Sequence, residues 1–347
     1  MRRPALLFAA LLLAQCKRRA PEPTVDLAPS AARSTPSGQT AIAPPPAVTA
    51  TPIASIAALA LADGATSAAS SAGSTAIAPD AKSTETVRFA VIGDFGAATP
   101  GEAAVAKMVK SWQPDFVITL GDNNYPAGEA TTIDVNIGQF YAEFIGDYRG
   151  KFGPGSAQNR FFPSPGNHDW ISGLQAYVSY FTLPGNERYY DVDRGLVHLY
   201  ALDSDAHEPD GIAADSRQAA WLKERLATSK ACYDVVYFHH PAYSTSEHGS
   251  AMQLRWPFKQ WGAEVVMAGH DHTYERLDVD GLPYFVNGLG GASKYDFPVN
   301  PLPETRFRYN EEFGAMRVVA TPREITYEFF TIDGKKRDTF AAPCTKK

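Results

Sequence analysis

A mixed α/β sandwich of about 260 residues, preceded by a long leader without fold signals, is the architecture that this 347-residue sequence predicts. Three observations carry it. From Thr86 onward apolar runs alternate with amphipathic stretches, as buried strands alternate with helices. Towards the C-terminus the pattern turns to paired alternating runs around tight turns, as in antiparallel hairpins. Residues 17–85 show neither pattern; they are rich in Ala, Pro, Ser and Thr and contain no aromatic residue.

In chain order, "VRFAVI" (87–92) reads as a buried strand and "GEAAVAKMVKSW" (101–112) as a helix. "FVITL" (116–120) is a second strand and "DVNIGQFYAEFIGDY" (134–148) a second helix. "RFFPSP" (160–165) leads into "GNHD", and "RYYDVDRGLVHLYALDS" (188–204) alternates about an Asp-Arg-Gly turn as a hairpin does. "DSRQAAWLKERLATS" (215–229) opens with an Asp or Ser cap and predicts a helix. "YDVVYF" (233–238) and "EVVMA" (264–268) are short buried strands that run directly into histidines. Residues 273–288 and 313–334 predict hairpins turning at Asp280-Gly281 and Pro322-Arg323. The folded domain is therefore bounded at 86–343, and no internal repeat is visible.

The leader divides in two. Residues 1–16 combine two arginines, an apolar run from Pro4 to Ala14 and Cys16, the layout of an export signal. Leu13-Ala14-Gln15-Cys16 resembles the bacterial lipobox, although Gln15 stands where a small residue is usual. The expectation is an exported cell-envelope lipoprotein, or else a periplasmic or secreted protein, that meets membrane only through this anchor. Residues 17–85 cannot bury enough apolar surface to offset the entropy of ordering them, and read as a disordered tether. A net charge of -6 argues against a nucleic-acid partner. Cys232 and Cys344 would pair in an oxidising compartment or stay as two buried thiols; the sequence leaves both open.

Five apolar strands end in metal-capable residues: "VIGDFG" (91–96), "TLGDNNY" (119–125), "SPGNHD" (164–169), "VVYFHHP" (235–241) and "MAGHDH" (267–272). Singly, each is an ordinary turn. Together, gathered on one rim of a sheet, they occupy the place where open α/β sheets bind ligands. The donors are carboxylate, amide oxygen, imidazole and phenol, with no thiolate, a set suited to iron, manganese or zinc. Two such ions sharing a carboxylate form a clamp for attack on phosphorus. "DFG" alone suggests a protein kinase, but no glycine-rich loop or HRD-type loop accompanies it.

The ordered blocks Gly93-Asp94-Phe95-Gly96, Gly121-Asp122-Asn123-Asn124-Tyr125, Gly166-Asn167-His168-Asp169, Val236-Tyr237-Phe238-His239 and Gly269-His270-Asp271-His272 resemble the purple acid phosphatases of the calcineurin-like metallophosphoesterases. The short, tartrate-resistant branch is the most similar, by length and by "SEHGS" (246–250) and "VNGLGGA" (286–292), whereas "HTYER" (272–276) is closer to plant members. The resemblance implies a four-layer αββα sandwich with the metal site at the C-terminal ends of the strands. It puts Asp94, Asp122, Tyr125 and His272 on one ion, and Asp122, Asn167, His239 and His270 on the other. Iron(III) is implied at the first site and iron(II), zinc or manganese at the second. Most metallophosphoesterases begin with Asp-x-His; here Gly96 stands in place of that histidine, and Tyr125 supplies the missing donor. The implied activity is hydrolysis of phosphate monoesters, of small molecules or phosphoproteins, by metal-activated hydroxide. Asn167, His168 and His248 are then the catalytic residues, the histidines contacting the phosphoryl group and protonating the leaving group. A phosphodiesterase or nucleotidase on the same scaffold is the alternative, and a tethered, non-catalytic metal-binding surface protein a further one. His240 reads as structural, on the opposite side of the chain from His239, and His198 and His207 carry no motif.

Overall fold

The computed structural model describes residues 86–345; the signal segment, Cys16 and the tether lie outside them. The chain opens with β1 (Val87–Ile92), α1 (Pro100–Ser111) and β2 (Phe116–Thr119). Thr99 caps α1, its hydroxyl accepting from the Glu102 amide at 3.0 Å, and Pro100 occupies the first turn, where its missing N–H costs nothing. A helical stretch over residues 134–144, with α2 (Gln139–Tyr141) at its centre, leads to β3 (Phe161–Pro163) and the short helices α3 (Asn167–Trp170) and α4 (Gln175–Tyr180). The hairpin β4 (Tyr190–Arg194) and β5 (Val197–Ala201) precedes α5 (Arg217–Thr228), which is capped by Ser216. Then come β6 (Tyr233–Tyr237), α6 (Phe258–Trp261), β7 (Val265–Ala268), β8 (Tyr274–Val279), β9 (Leu282–Asn287), β10 (Thr305–Tyr309), β11 (Gly314–Ala320), β12 (Glu324–Thr331) and β13 (Lys336–Pro343).

The strands form two mixed sheets, ordered β13-β12-β11-β1-β2-β3 and β10-β8-β9-β7-β6-β5-β4. β1, β2 and β3 run parallel, as do β5, β6, β7 and β9. Their central residues are buried on both faces, which is why they read as continuous apolar runs instead of alternating ones. Between the sheets, aromatic pairs such as Tyr274 and Phe329, stacked at 4.0 Å, fill the inner core. α1 and α2 pack together, with α1 against β11 of the first sheet. Leu222 and Leu226 of α5 and Phe258 of α6 pack with Val236 and Val266 on the outer face of the second, in a separate cluster. This is the expected αββα sandwich.

The helix expected over 134–148 is shorter and irregular. Ile145 is extended and Asp147 has φ of 50°, so the chain folds back. Tyr148 then donates to Asp134 at 2.5 Å, and Tyr180 and the Lys151 amide donate to the same carboxylate. At the end of the sandwich remote from the metal-capable loops, Cys232 at the start of β6 and Cys344 beyond β13 form a disulfide that ties the two sheets together. Of the two outcomes left open by the sequence, the paired one is realised.

Candidate metal centre

The loops after β1, β2, β3, β6 and β7 meet on one rim. Asp94, Asp122 and His270 each follow a glycine and lie in the left-handed region, with φ of 55°, 50° and 69°. This backbone turns each side chain back over the strand ends, at a cost that rigid surroundings must hold. Gly121 shows how tight they are: at φ of 88° it lies under His239, and a Cβ there would come within 2.5 Å of the imidazole.

Two donor groups result, joined by Asp122. On one side the Tyr125 hydroxyl lies 2.9 Å from Asp122 Oδ2, 3.4 Å from Asp94 Oδ1 and 3.0 Å from His272 Nε2. His272 Nε2 is 3.3 Å from Asp94 Oδ1. On the other side His239 Nε2 lies 3.3 Å from Asp122 Oδ1, 3.0 Å from Asn167 Oδ1 and 3.2 Å from His270 Nδ1. Asp122 thus offers one oxygen to each group. All seven residues predicted as ligands are brought together.

Neighbouring groups orient these donors. The Leu120 carbonyl, 2.8 Å from His239 Nδ1, accepts a ring proton there and turns Nε2 towards Asp122. Ser293 Oγ holds His272 Nδ1 at 2.6 Å, and the Tyr295 ring stacks on His272 at 4.1 Å. Asp169 joins two loops, accepting from the amides of Asn123 and Gly166 and from the Asn123 side chain at 2.8–3.1 Å. Ser293, Tyr295 and Asp169 were not among the expected site residues; their side chains act through others, and although Asp169 closes the Gly166–Asp169 block, no donor spacing marks Ser293 or Tyr295 in the sequence.

The charges fit cations. Asp94 and Asp122 are buried, and among the described residues no lysine or arginine pairs with either; only imidazoles do. Two buried carboxylates this close together are costly unless positive charge, from metal or imidazolium, offsets them. Burial opposes ionisation of Asp122, yet His239 and His168 hold its carboxyl well below the usual range. Burial likewise disfavours a charged His239, but Asp122 and Asp94 raise it to about 10. Burial, Asp94 and Asp122 push the Tyr125 phenol far up, a sign that a cation among the same three groups would reverse.

Gly96 and Tyr125 meet as the sequence comparison of motifs suggested. The Tyr125 amide donates to the Gly96 carbonyl at 2.7 Å, and a Cβ at Gly96 would fall 1.7 Å from the Asn123 carbonyl oxygen. No side chain fits at 96, and the hydroxyl of Tyr125 lies among Asp94, Asp122 and His272 instead.

His168 lies on the rim, its Nδ1 2.5 Å from the Pro126 carbonyl and its Nε2 3.9 Å from Asp122. His248 is exposed, stacks on His270 at 4.3 Å and is anchored by its amide on Asp271. His240 is not on the opposite side from His239. Strand alternation stops with β6 at Tyr237, so both imidazoles project to the rim, and His240 packs 4.5 Å from His270. A ring nitrogen of His240 lies within 4.8 Å of those of His239 and His270. Six of the eight histidines therefore surround the centre. His198 pairs with Asp191 in the β4–β5 hairpin, and His207 pairs with Asp205 and stacks on Trp170.

The profile of the calcineurin-like phosphoesterases matches residues 87–274. Tartrate-resistant acid phosphatase type 5 of Oryctolagus cuniculus is 27% identical over 73% of this chain and 89% of its own length. Among solved structures, the purple acid phosphatase PPD1 of yellow lupin (Lupinus luteus) superposes with a TM-score of 0.62 at 19% identity, over 76% of this chain and 55% of its own. GAP50, described as the anchor in the inner membrane complex of Plasmodium, gives 0.60 at 19% identity, over 76% and 90%.

Proposed function

The chain belongs to the calcineurin-like phosphoesterase family, and from that premise we propose that it is a dinuclear-metal phosphomonoesterase of the acid phosphatase type. One observation carries the proposal: Asp122 divides its oxygens between two donor groups, and the Tyr125 hydroxyl completes the first of them. Asp94, Asp122, Tyr125 and His272 would hold one ion, with the phenolate favouring iron(III). Asp122, Asn167, His239 and His270 would hold the other, as iron(II), zinc or manganese. When bound, the two ions supply Lewis acidity towards the phosphoryl oxygens and acidify a water for attack.

The protein's own part is positioning and proton transfer. Asn167, the first residue of α3, brings its amide beside His239. His168 donates Nδ1–H to the Pro126 carbonyl, so it can give up a proton at Nε2 only as the imidazolium. His248 stands on the solvent side of His270, where a leaving alkoxide can be protonated. Turnover is expected at acidic to neutral pH. Phosphate esters of small molecules or phosphoproteins are the substrate class. The lipobox-like Leu13-Ala14-Gln15-Cys16 supports export to the cell envelope through a lipid at Cys16, or otherwise to the periplasm or outside the cell, checked by mass spectrometry of the mature N-terminus; among the described residues, no helix is long and apolar enough to cross a membrane.

Purification from iron-supplemented cells, elemental analysis and parallel assays of p-nitrophenyl phosphate and its bis-ester test the proposal. Two metals per chain with preference for the monoester support it. Preference for the diester moves the chain to phosphodiesterases, and metal without turnover makes it a binding protein.

A further inference from the structure

We propose that His240 is a third phosphoryl-binding imidazole of this centre, a hydrogen-bond donor to a phosphate oxygen and not a metal ligand. The inference rests on the phosphoesterase reading. The position is set by the turn after β6, which sends two successive imidazoles to the same rim. His240 and His248 both pack on His270, at 4.5 and 4.3 Å between ring centres. A phosphoryl group held beside His270 would therefore lie within reach of both rings.

Proximity alone would equally suit a ligand, since a His240 nitrogen lies within 4.8 Å of nitrogens of His239 and His270. The hydrogen bonds of Ser204 decide between the two. A hydroxyl has one hydrogen to give and two lone pairs to fill. The backbone amides of His239 and His240 both donate to Ser204 Oγ, at 3.2 and 2.9 Å, and fill both lone pairs. The remaining hydrogen is directed at His240 Nδ1, 3.0 Å away. Nδ1 is then the acceptor, and the neutral ring carries its proton on Nε2. A protonated nitrogen cannot ligate, but it can donate to an anionic oxygen. His239 has the reverse arrangement: Leu120 takes the proton on its Nδ1 and leaves Nε2 free to bind metal. Two adjacent histidines are thus given opposite tautomers by their neighbours, one suited to a cation and one to an anion.

The test uses the metal-loaded full chain, inorganic phosphate as the probe, and elemental analysis beside it. His240→Ala should keep two metals per chain and bind phosphate about 10- to 100-fold more weakly, the range for a lost hydrogen bond to a charged group. His240→Gln, which keeps an N–H near the position of Nε2, should recover most of that loss and serves alone if the alanine variant does not fold. Loss of one metal in either variant would make His240 a ligand and overturn the proposal. Wild-type phosphate affinity in His240→Ala, or an equal loss in His240→Gln, would overturn it too. If the wild-type, metal-loaded protein takes up no phosphate, the phosphoesterase reading fails first.

Discussion

Gly96→Ala, a single added methyl group, should disable the centre without touching a ligand. The methyl carbon would stand 1.7 Å from the Asn123 carbonyl oxygen and 2.3 Å from its carbon, where real contacts do not fall below 3.0 Å. The loop must recede by ~1.3 Å, the difference between those limits. It cannot do so freely: Asn123 is held by the Thr119 hydroxyl, the Ser164 carbonyl and Asp169, in four hydrogen bonds of 2.5–3.1 Å. Overpacking of this kind typically costs about 1–3 kcal/mol. The same loop carries Asp122 one residue earlier and Tyr125 two residues later, and a displacement of about 1 Å at a catalytic group can cost on the order of 100-fold in rate. Denaturant unfolding, metal content and kcat for p-nitrophenyl phosphate measure the three consequences. A variant with wild-type stability, metal content and rate would show that Gly96 does not make room for the Tyr125 loop. It would also remove the steric reason for a tyrosine in place of the histidine.

Tyr125→Phe should retain the fold and lose the violet colour expected of iron-loaded protein, with residual activity on manganese or zinc; an unchanged visible band in the iron-loaded variant would show that the chromophore is elsewhere. His168→Ala and His248→Ala should keep both metals and lose about 10²–10⁴-fold in kcat on alkyl phosphates, but less on p-nitrophenyl phosphate, whose leaving group needs no proton. Equal losses on both substrates would mean that neither histidine is the acid. Cys344→Ser opens a loop spanning 112 residues and should cost up to about 4.7 kcal/mol in the chain-entropy account, read by denaturant unfolding with metal content unchanged; two alkylatable thiols in the native, non-reduced protein would contradict the bond itself.

The sequence made the central strands legible because burial on both faces leaves apolar runs, and five of them, β1, β2, β3, β6 and β7, end at a donor. It did not show β10 or β13. These are the outer strands of the two sheets, and their arginines and lysine, such as Arg306, Arg308 and Lys336, blunt exposed edges and hide the apolar period. The candidate ligands were legible as side chains with spacing. The groups that orient the rings at the centre were not, because a Leu120 carbonyl against His239 or a Ser204 hydroxyl against His240 leaves no pattern in the sequence. His240 reads as facing away from His239 for a related reason: strand alternation would part them, but β6 ends at Tyr237.

The left-handed backbone at His270 lets strain in the turn be separated from the contacts of its ring. With φ of 69° it is the bulkiest of the three candidate ligands in the left-handed region, which Asp, with its short polar side chain, visits more readily. A residue with a Cβ pays about 1–2 kcal/mol there, and glycine pays almost none. Alanine normally stabilises relative to glycine by about 0.4–1 kcal/mol through the unfolded chain. At this position the order should reverse. His270→Gly and His270→Ala both remove the imidazole and its packing on His239, His240 and His248, so their difference isolates the backbone. Unfolding of the two variants after chelation, which keeps metal binding out of the comparison, should find the glycine variant more stable by about 1 kcal/mol, both being inactive. An alanine variant as stable as the glycine one would mean that the loop relaxes to ordinary angles once the ring is gone. The left-handed turn would then be imposed by the histidine's contacts, and the glycine-histidine pair would not be a rigid mount for a metal ligand.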